Sequence, residues 1–536
     1  MSMKFYIYRN TTAESFFSNL DASFSGYNDI SILPDDANCY IWFYLLPIES
    51  KLHILTKEIN SFYNSLEFIT KQIPSTKTLY VFTLTPLYSN IIETGDFSLQ
   101  IAINNFNNRA ILLSESNRNV KIVDFQSFLL NYSSMQLINW KYYYLSRMLL
   151  NPKLAADFKI WFRNQREAIQ MNRKKCLVLD LDNTLWGGIL GEDGINGIKI
   201  GGDYPGNAFL DFQKSILELH KAGIILAVCS KNNEPDVIEA WNKNPNILIK
   251  KEHLAAYRIN WDNKAQNIAA IVKQLNIGAD SVVFVDDNPS ERELVKQFLP
   301  MVETPDFPAH PYMLQSFIKE VTEKYFRIYQ LTNEDRTKTQ QYKDNALRDE
   351  NQKGFSDFSE YLASLAIKID LQEANEFTIP RLAQMTQKTN QFNLTTKRYS
   401  ESDIYSLIGQ GHWVYSIAVS DCFGDNGITG LIIIKLNQAQ QHADIDSLLL
   451  SCRILGKGIE EAFVYLMMNK LKIAGFKSVS STYLQTTKNE QVRNFYEELG
   501  FSLISEPFED EETKLYKLWL LQDKFEIKPF YKVNIE

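Results

Sequence analysis

Two aspartates, Asp180 and Asp182, follow the apolar run Val178-Leu179, and their spacing suits phosphoryl transfer. The run predicts a buried strand, so Asp180 is expected to project from a sheet edge, with Asp182 where the chain turns away. One carboxylate could attack phosphorus while the other protonates the leaving group and later deprotonates water. Because two anions need a cation to approach a phosphate, this pair predicts a Mg²⁺ site with carboxylate and carbonyl ligands.

Two further polar residues suit the same chemistry. Ser230 ends the apolar run from Leu226 to Cys229 and could donate a hydrogen bond to a phosphate oxygen. Lys264 opens a predicted helix and offers a fixed positive charge to the nucleophile and to the phosphoryl oxygens. Either residue alone is weak evidence, since a serine after a strand usually caps a helix.

Asp286 and Asp287 are the last of the predicted site residues in the sequence and directly follow the apolar run from Val283 to Val285. They supply the remaining acidic ligands, so the predicted metal set is Asp180, Asp182, Asp286 and Asp287. An isolated Asp-x-Asp after a strand is common. Four elements in this order, each at a strand end or a helix start, favour a genuine site over coincidence.

The elements that must position these residues predict an α/β fold. In the central stretch, strands at 176–180, 224–229 and 281–285 alternate with helices at 209–222 and 265–275. Such alternation is typical of a doubly wound sheet, in which ligands bind at the carboxyl ends of the strands. The expected central domain covers residues 171–327.

The flanking stretches have different patterns. Residues 1–170 alternate short apolar runs with helical segments, which predicts another α/β layer with a mostly parallel sheet. Residues 328–354 are charged and polar, which predicts an exposed linker helix. In residues 355–536, strands and helices follow one another in a pattern that predicts a mixed sheet with flanking helices.

The central stretch resembles the haloacid dehalogenase superfamily, and the run from Asp182 to Gly188 (Asp-Asn-Thr-Leu-Trp-Gly-Gly) resembles its FkbH-like branch, subfamily IIIC. This resemblance implies a Rossmann-like fold and an aspartyl-phosphate on Asp180. Only the turn-rich segment Gly191–Asp203 separates the first motif from the next helix, so the site is predicted to lack a cap. An open site suits a bulky substrate, such as a phosphoryl group presented by a macromolecule; an oligomer could also supply a lid.

The C-terminal stretch carries two runs similar to FkbH-like proteins, 387–399 and 449–460. Within the second, Arg453, Gly456 and Gly458 resemble the coenzyme A loop of GNAT acyltransferases, and 494–501 resembles a later helix and turn of that fold. Backbone amides at such a loop can cradle a pyrophosphate. The resemblance implies coenzyme A or a phosphopantetheine arm as ligand, and close helix–strand packing without a ligand is the alternative.

Residues 1–170 occupy the position at which FkbH-like proteins often carry an SGNH-hydrolase-like domain. The Gly-Asp-Ser nucleophile block of such hydrolases is absent from the sequence, and the first strand leads instead to Arg9-Asn10-Thr11-Thr12. We therefore expect a non-catalytic scaffold or docking role for this domain.

FkbH-like proteins are associated with taking a glyceryl group from 1,3-bisphosphoglycerate, discarding phosphate and loading a carrier-protein thiol. For this step the sequence offers Cys229, beside Ser230 at the expected mouth of the crevice, where Lys264 and the metal would favour its thiolate. The alternatives are Cys452 beside Arg453, or a purely structural role for both cysteines. Cys39, Cys176 and Cys422 are expected to be packing residues.

Composition narrows the function classes. The 536 residues are 45% hydrophobic and 22% charged with a net charge of -8, which indicates a folded protein and argues against nucleic acid as main partner. The cysteines have no paired spacing, apolar runs are too short to span a membrane, and no secretory signal is recognisable, so a cytoplasmic location is expected.

Three functions remain open at this stage. The first is a phosphoryl-handling enzyme, either a phosphatase or a glyceryl transferase acting on a phosphorylated small molecule with an acyl carrier protein as acceptor. The second is a GNAT-type acyltransferase in polysaccharide or secondary-metabolite biosynthesis. The third is a carrier-protein docking platform with a vestigial site, which the intact acidic set argues against, since clustered carboxylates are costly without a metal.

Overall fold

The computed structural model forms two compact units: residues 1–169 with 399–409, and residues 170–398 with 410–536. The residues that the structure describes are 3–49, 51–88, 95–170, 173–329, 341–342, 344, 348, 351, 355, 357–389, 392–451, 454–486, 489–505, 513–520 and 525–535.

The first unit is built on a five-stranded parallel sheet in the order β2-β1-β3-β4-β5. Its strands are β1 (Lys4–Arg9), β2 (Asp21–Tyr27), β3 (Cys39–Phe43), β4 (Thr78–Phe82) and β5 (Val120–Val123). Its helices are Glu14–Phe17, Leu52–Gln72, Ser98–Ser116, Gln126–Leu129, Ser134–Leu137, Trp140–Ser146, Pro152–Leu154, Ala155–Ile169 and Glu401–Gly409. Apolar cores cover both faces, as expected of a parallel sheet. This arrangement is the expected α/β layer with a parallel sheet.

The second unit contains a four-stranded parallel sheet in the order β8-β7-β6-β9. Its strands are β6 (Cys176–Leu179), β7 (Ile225–Ser230), β8 (Leu254–Ile259) and β9 (Val282–Val285). Its helices are Leu190–Asp193, Gly206–Lys221, Glu234–Lys243, Lys251–His253, Lys264–Gln274, Ala279–Ser281, Pro289–Phe298, Pro311–Met313, Leu314–Val321 and Thr322–Phe326. β6, β7 and β9 are buried along their whole length, and helices on both faces give the predicted Rossmann-like arrangement.

The second unit also contains an eight-stranded mixed sheet in the order β15-β16-β14-β13-β12-β11-β10-β17. Its strands are β10 (Lys368–Glu373), β11 (Trp413–Asp421), β12 (Gly424–Asn437), β13 (His442–Leu450), β14 (Ser478–Leu484), β15 (Ser502–Ser505), β16 (Thr513–Trp519) and β17 (Lys532–Ile535). Its helices are Phe358–Ser364, Ile379–Lys388, Ile459–Ile473, Glu490–Val492 and Phe495–Glu498. Pairing is parallel between β13 and β14 and between β10 and β17, and antiparallel elsewhere.

The predicted linker, residues 328–354, lies largely outside the described residues. The described residues Gln341, Tyr342, Asp344 and Arg348 are helical but buried, so the predicted exposure does not hold at these four, whereas Asn351 is helical and exposed. Arg348 explains this burial, since its guanidinium donates two hydrogen bonds of 2.7 Å to the buried carboxylate of Asp421. Elsewhere in the fold, none of the described helices is long and apolar enough to cross a membrane.

Candidate active site and metal centre

Four of the predicted site residues lie at the carboxyl edge of the central sheet. Asp180 directly follows β6, while Asp286 and Asp287 follow its neighbour β9. Because Leu179 pairs with Val285, the residues after each strand emerge side by side. Ser230 ends β7 on the other side of β6 and is buried. The parallel register therefore explains how residues distant in sequence meet at one edge.

Asp180, Asp286 and Asp287 form a group that could hold a metal ion. One carboxylate oxygen from each lies within 4.8 Å of the others, and this is the one such group among the residues that the structure describes. Asp180 Oδ1 is buried and accepts no hydrogen bond from any described residue. Burial, and secondarily the charge of Asp180, raise the pKa values of Asp286 and Asp287. The oxygen donors and the uncompensated negative charge fit Mg²⁺.

Lys264 provides the positive charge within this group. Its buried Nζ lies 3.0 Å from Asp180 Oδ2 and 2.5 Å from Asp286 Oδ2. Burial lowers the pKa of Lys264, but the charges of the two carboxylates outweigh that effect and raise the pKa overall. The first turn of helix Lys264–Gln274 positions the lysine. Asn263 caps this helix, because its Oδ1 accepts a hydrogen bond from the main-chain N–H of Ala265 at 2.8 Å.

The carboxylate of Asp182 lies outside the three-carboxylate group, although it was among the predicted metal ligands. Its Oδ1 accepts hydrogen bonds from Trp186 Nε1 at 2.9 Å and from the main-chain N–H of Leu190 at 3.0 Å. Its Oδ2 accepts a hydrogen bond from Asn232 Nδ2 at 2.8 Å. Burial, opposed by these hydrogen bonds and assisted by the charge of Asp180, raises the pKa of Asp182. Three hydrogen bonds hold this side chain in place, and its raised pKa favours the protonated form more than in an exposed aspartate.

Sequence reasoning missed the residues that support this site. Thr184 Oγ1 accepts a hydrogen bond from the main-chain N–H of Asp287 at 3.1 Å. Arg292, on helix Pro289–Phe298, donates from one guanidinium nitrogen to the carbonyls of both Asp286 and Asp287 at 2.8 Å. The Asp-x-Asp-x-Thr spacing was a usable signal for Thr184. No local pattern distinguishes Arg292 from other helical arginines, because its contacts are to main-chain atoms.

The structure places Cys229 differently from its expected position at the mouth of the crevice. The side chain is fully buried in the apolar core that includes Val178, Ala227 and Phe284, on one face of the sheet. Its Sγ donates to the carbonyl of Lys264 at 3.7 Å. Burial raises the pKa of Cys229 to about 12, even though the charge of Lys264 lowers it. The thiol is therefore held neutral, contrary to the expected activation.

The predicted coenzyme A loop is only partly described, because Arg453 and Cys452 lie outside the described residues. Gly456 and Gly458 both adopt positive φ angles before helix Ile459–Ile473, as the turn into that helix requires. The N–H of Gly456 donates to Glu460 Oε1 at 2.9 Å. The carboxylate of Glu460 therefore already accepts a hydrogen bond from a main-chain N–H that would otherwise be available to a pyrophosphate. Glu460 and Glu461 also place negative charge at the helix N-terminus, so the described residues do not fit a phosphate ligand.

The central domain matches a known family. Residues 175–311 match the family model described as NLI interacting factor-like phosphatase. The chain contains an NLI interacting factor-like phosphatase domain. The match covers every residue of the carboxylate site from Asp180 to Asp287 and confirms the predicted haloacid-dehalogenase-type phosphatase domain.

A solved structure that contains a phosphatase domain is also similar to this chain. The N-terminal part of the protein BF1531 from Bacteroides fragilis, which contains a phosphatase domain complexed with Mg, is 27% identical with a TM-score of 0.53. The alignment covers 61% of this chain and 95% of that one. The bound Mg in that structure belongs to the relative's phosphatase domain.

Acetyltransferases give only weak similarity. The ribosomal-protein-S18-alanine N-acetyltransferase from Escherichia coli is 13% identical with a TM-score of 0.23, covering 30% of this chain and 99% of that one. A GNAT-family acetyltransferase from Desulfovibrio desulfuricans is 14% identical with a TM-score of 0.24, covering 28% and 99%. Values this low do not establish the predicted GNAT-like fold. The comparison with curated proteins finds no similar sequence.

Proposed function

We propose that the chain is a Mg²⁺-dependent phosphatase or phosphotransferase that acts on a phosphorylated small molecule through an aspartyl-phosphate on Asp180. The observation that carries the proposal is the buried group Asp180, Asp286 and Asp287, with Lys264 as its one positive partner among the described residues and Asp180 Oδ1 unpaired. A bound Mg²⁺ would neutralise the carboxylates and the phosphoryl oxygens.

The side chains can carry both halves of the reaction. A carboxylate oxygen of Asp180 attacks phosphorus, and the bond from phosphorus to the leaving oxygen breaks. Asp182, whose pKa is raised chiefly by burial, gives its proton to that oxygen. In the second half, Asp182 takes a proton from water while the water oxygen attacks phosphorus, which releases phosphate and frees Asp180. Lys264 steadies the charge on Asp180 and on the phosphoryl oxygens, and Ser230 is proposed to donate to one of those oxygens.

Hydrolysis of p-nitrophenyl phosphate with and without MgCl₂ tests this proposal. We expect turnover that requires Mg²⁺ and that Asp180→Asn abolishes. Asp211→Asn is the matched control, because Asp211 lies on the exposed surface of helix Gly206–Lys221 in an ion pair with Lys214. Unchanged turnover in Asp180→Asn would exclude Asp180 as the nucleophile.

A second candidate, glyceryl transfer from 1,3-bisphosphoglycerate, is favoured by the lack of an inserted cap between β6 and helix Gly206–Lys221. Between these two elements the chain forms turns, two isolated β-bridges and the four-residue helix Leu190–Asp193, so no cap is inserted there. In this reaction an acyl-carrier thiol attacks the acyl carbon, and the bond from that carbon to the phosphate oxygen breaks. The remaining phosphate ester would then be cleaved at Asp180.

Intact-mass analysis distinguishes the two candidates. The chain is incubated with 1,3-bisphosphoglycerate and a phosphopantetheinyl carrier protein, and both proteins are weighed. A glyceryl adduct on the carrier supports transfer, whereas release of phosphate without any adduct supports a simple phosphatase. An adduct on the chain that disappears in Cys229→Ala would restore a role for that cysteine.

A further inference from the structure

Strands β13 and β14 are parallel neighbours that separate part-way along their length. They pair only from His442 to Ile445 against Ser478 to Ser481, although β13 continues to Leu450 and β14 to Leu484. Beyond that point the two facing edges do not bond to each other. Buried main-chain N–H and C=O groups need partners, so a gap of this kind must be filled by another part of the chain or by a ligand.

The chain fills this gap itself, with residues 392–395. The N–H of Leu394 donates to the carbonyl of Leu448 at 3.2 Å, and the N–H of Leu450 donates to the carbonyl of Phe392 at 3.0 Å. On the other side, the N–H of Leu484 donates to the carbonyl of Leu394 at 2.8 Å. The segment therefore bonds to both separated strands and takes the place of a strand between them.

Side chains hold this segment in place. Asn489 Nδ2 donates to the carbonyls of Asn393 and Leu484, both at 2.9 Å, and so joins the segment to β14. Thr395 Oγ1 donates to the carbonyl of Asp446 at 3.1 Å and so joins it to β13. Asn393 and Leu394 have no exposed surface. Residues this thoroughly bonded and buried are part of the folded core.

We infer that residues 392–395 are an internal segment, bridged to β13 at Asn393 and Leu449, that closes the gap between β13 and β14, so that the described edges of these strands are not open to coenzyme A or its phosphopantetheine arm. An extended arm with two amide groups would enter such a gap by bonding to the strand edges as an added strand does. Those N–H and C=O groups are already used by Phe392 and Leu394. The loop at Gly456, where Glu460 occupies an amide, points to the same conclusion independently.

Calorimetric titration of the full chain with coenzyme A and with acetyl-coenzyme A tests this inference. We expect no saturable heat with either compound up to about 1 mM, a concentration that would detect dissociation constants in the millimolar range. Hydrogen exchange should find the amides of Leu394, Leu450 and Leu484 protected and unchanged by either compound. Saturable binding that alters exchange at these amides would overturn the inference.

A matched pair of variants tests directly how the internal segment is held. Asn489→Ala removes the side chain that joins the segment to β14, and we expect at least tenfold faster exchange at Leu394 and Leu484. Asn469→Ala is the control, because Asn469 donates a comparable 2.9 Å bond to the carbonyl of Phe525 in the same domain, away from the gap. Equal exchange in both variants would show that Asn489 does not hold the segment. Mg²⁺-dependent hydrolysis should be unchanged in both variants, which separates this test from that of the phosphatase proposal.

Discussion

Replacing Lys264 with methionine tests the electrostatic reasoning behind the site. Methionine keeps most of the volume of the side chain and removes the charge that lies 3.0 Å from Asp180 and 2.5 Å from Asp286. Breaking a buried ion pair by removing one partner costs about 3–5 kcal/mol, because the other charge remains buried without compensation. We expect a loss of this size in the free energy of unfolding of the central domain when EDTA removes divalent cations.

Adding Mg²⁺ should reverse part of this loss. A cation that binds only the folded state at a hundred times its dissociation constant stabilises that state by about 2.7 kcal/mol. Urea unfolding can be followed by the tryptophan fluorescence of the chain, to which Trp186, fully buried beside Asp182, contributes. The measurement is made in EDTA and again in MgCl₂. We expect the deficit of Lys264→Met to be smaller in MgCl₂, because carboxylates that have lost the charge of Lys264 attract the cation more strongly, so the variant gains more from Mg²⁺ than the unsubstituted chain does.

Two further variants complete this test. Lys243→Met is the matched control, since Lys243 pairs with Glu239 on an exposed helix face, where such a pair contributes about 0.5 kcal/mol or less. Adding Asp286→Asn to Lys264→Met should recover stability, because it removes one of the carboxylates left without a partner. If Lys264→Met unfolds in EDTA within about 1 kcal/mol of the unsubstituted chain, the electrostatic account of this site is wrong, since it requires about 3–5 kcal/mol.

Three other predictions concern side chains around the site. Arg292→Met should weaken Mg²⁺ binding, measured by calorimetry, about 10–100-fold, because Arg292 holds the main-chain carbonyls of both Asp286 and Asp287. Arg292→Lys should restore part of the affinity, and equal affinities in all three proteins would contradict this role. Asn232→Ala should lower kcat about tenfold with little change in KM, since Asp182 loses one of its three donors; an effect confined to KM would count against a role for Asp182 in proton transfer. Cys229→Ala should keep Mg²⁺-dependent hydrolysis within about twofold, because its thiol lies in the apolar core and not in the crevice; a folded variant without activity would refute this placement.

The central sheet was largely predictable from sequence. Strands β6, β7 and β9 are continuous apolar runs that end in polar residues, which is the pattern of parallel strands buried on both faces. Strand β8 was missed, because Leu-Ala-Ala-Tyr-Arg-Ile is neither continuously apolar nor alternating, and it lies at the edge of the sheet. The position of Asp180 beside Asp286 followed from the same pattern, since parallel strands bring their carboxyl ends together.

Side-chain direction was less predictable than position along a strand. Cys229 and Ser230 are adjacent, and successive side chains of a strand point to opposite faces, so both could not face the same crevice. Which of the two points into the apolar core depends on the twist and packing of the whole sheet. The burial of Arg348 within the predicted linker also has a non-local cause, because its partner Asp421 is 73 residues away in sequence.

The group of three carboxylates (Asp180, Asp286 and Asp287) and the loop at Gly456 differ in whether their polar atoms already have hydrogen-bond partners within the chain. Asp180 Oδ1 is buried without a described partner, in a group whose negative charge exceeds the single charge of Lys264. Such an arrangement is costly unless a cation completes it. At the loop, the N–H of Gly456 has an internal acceptor in Glu460, and the strand edges nearby bond to Phe392 and Leu394. Because a ligand gains little by displacing bonds already made, the central crevice is the better candidate for ligand chemistry, and any acyl acceptor is best sought outside this loop.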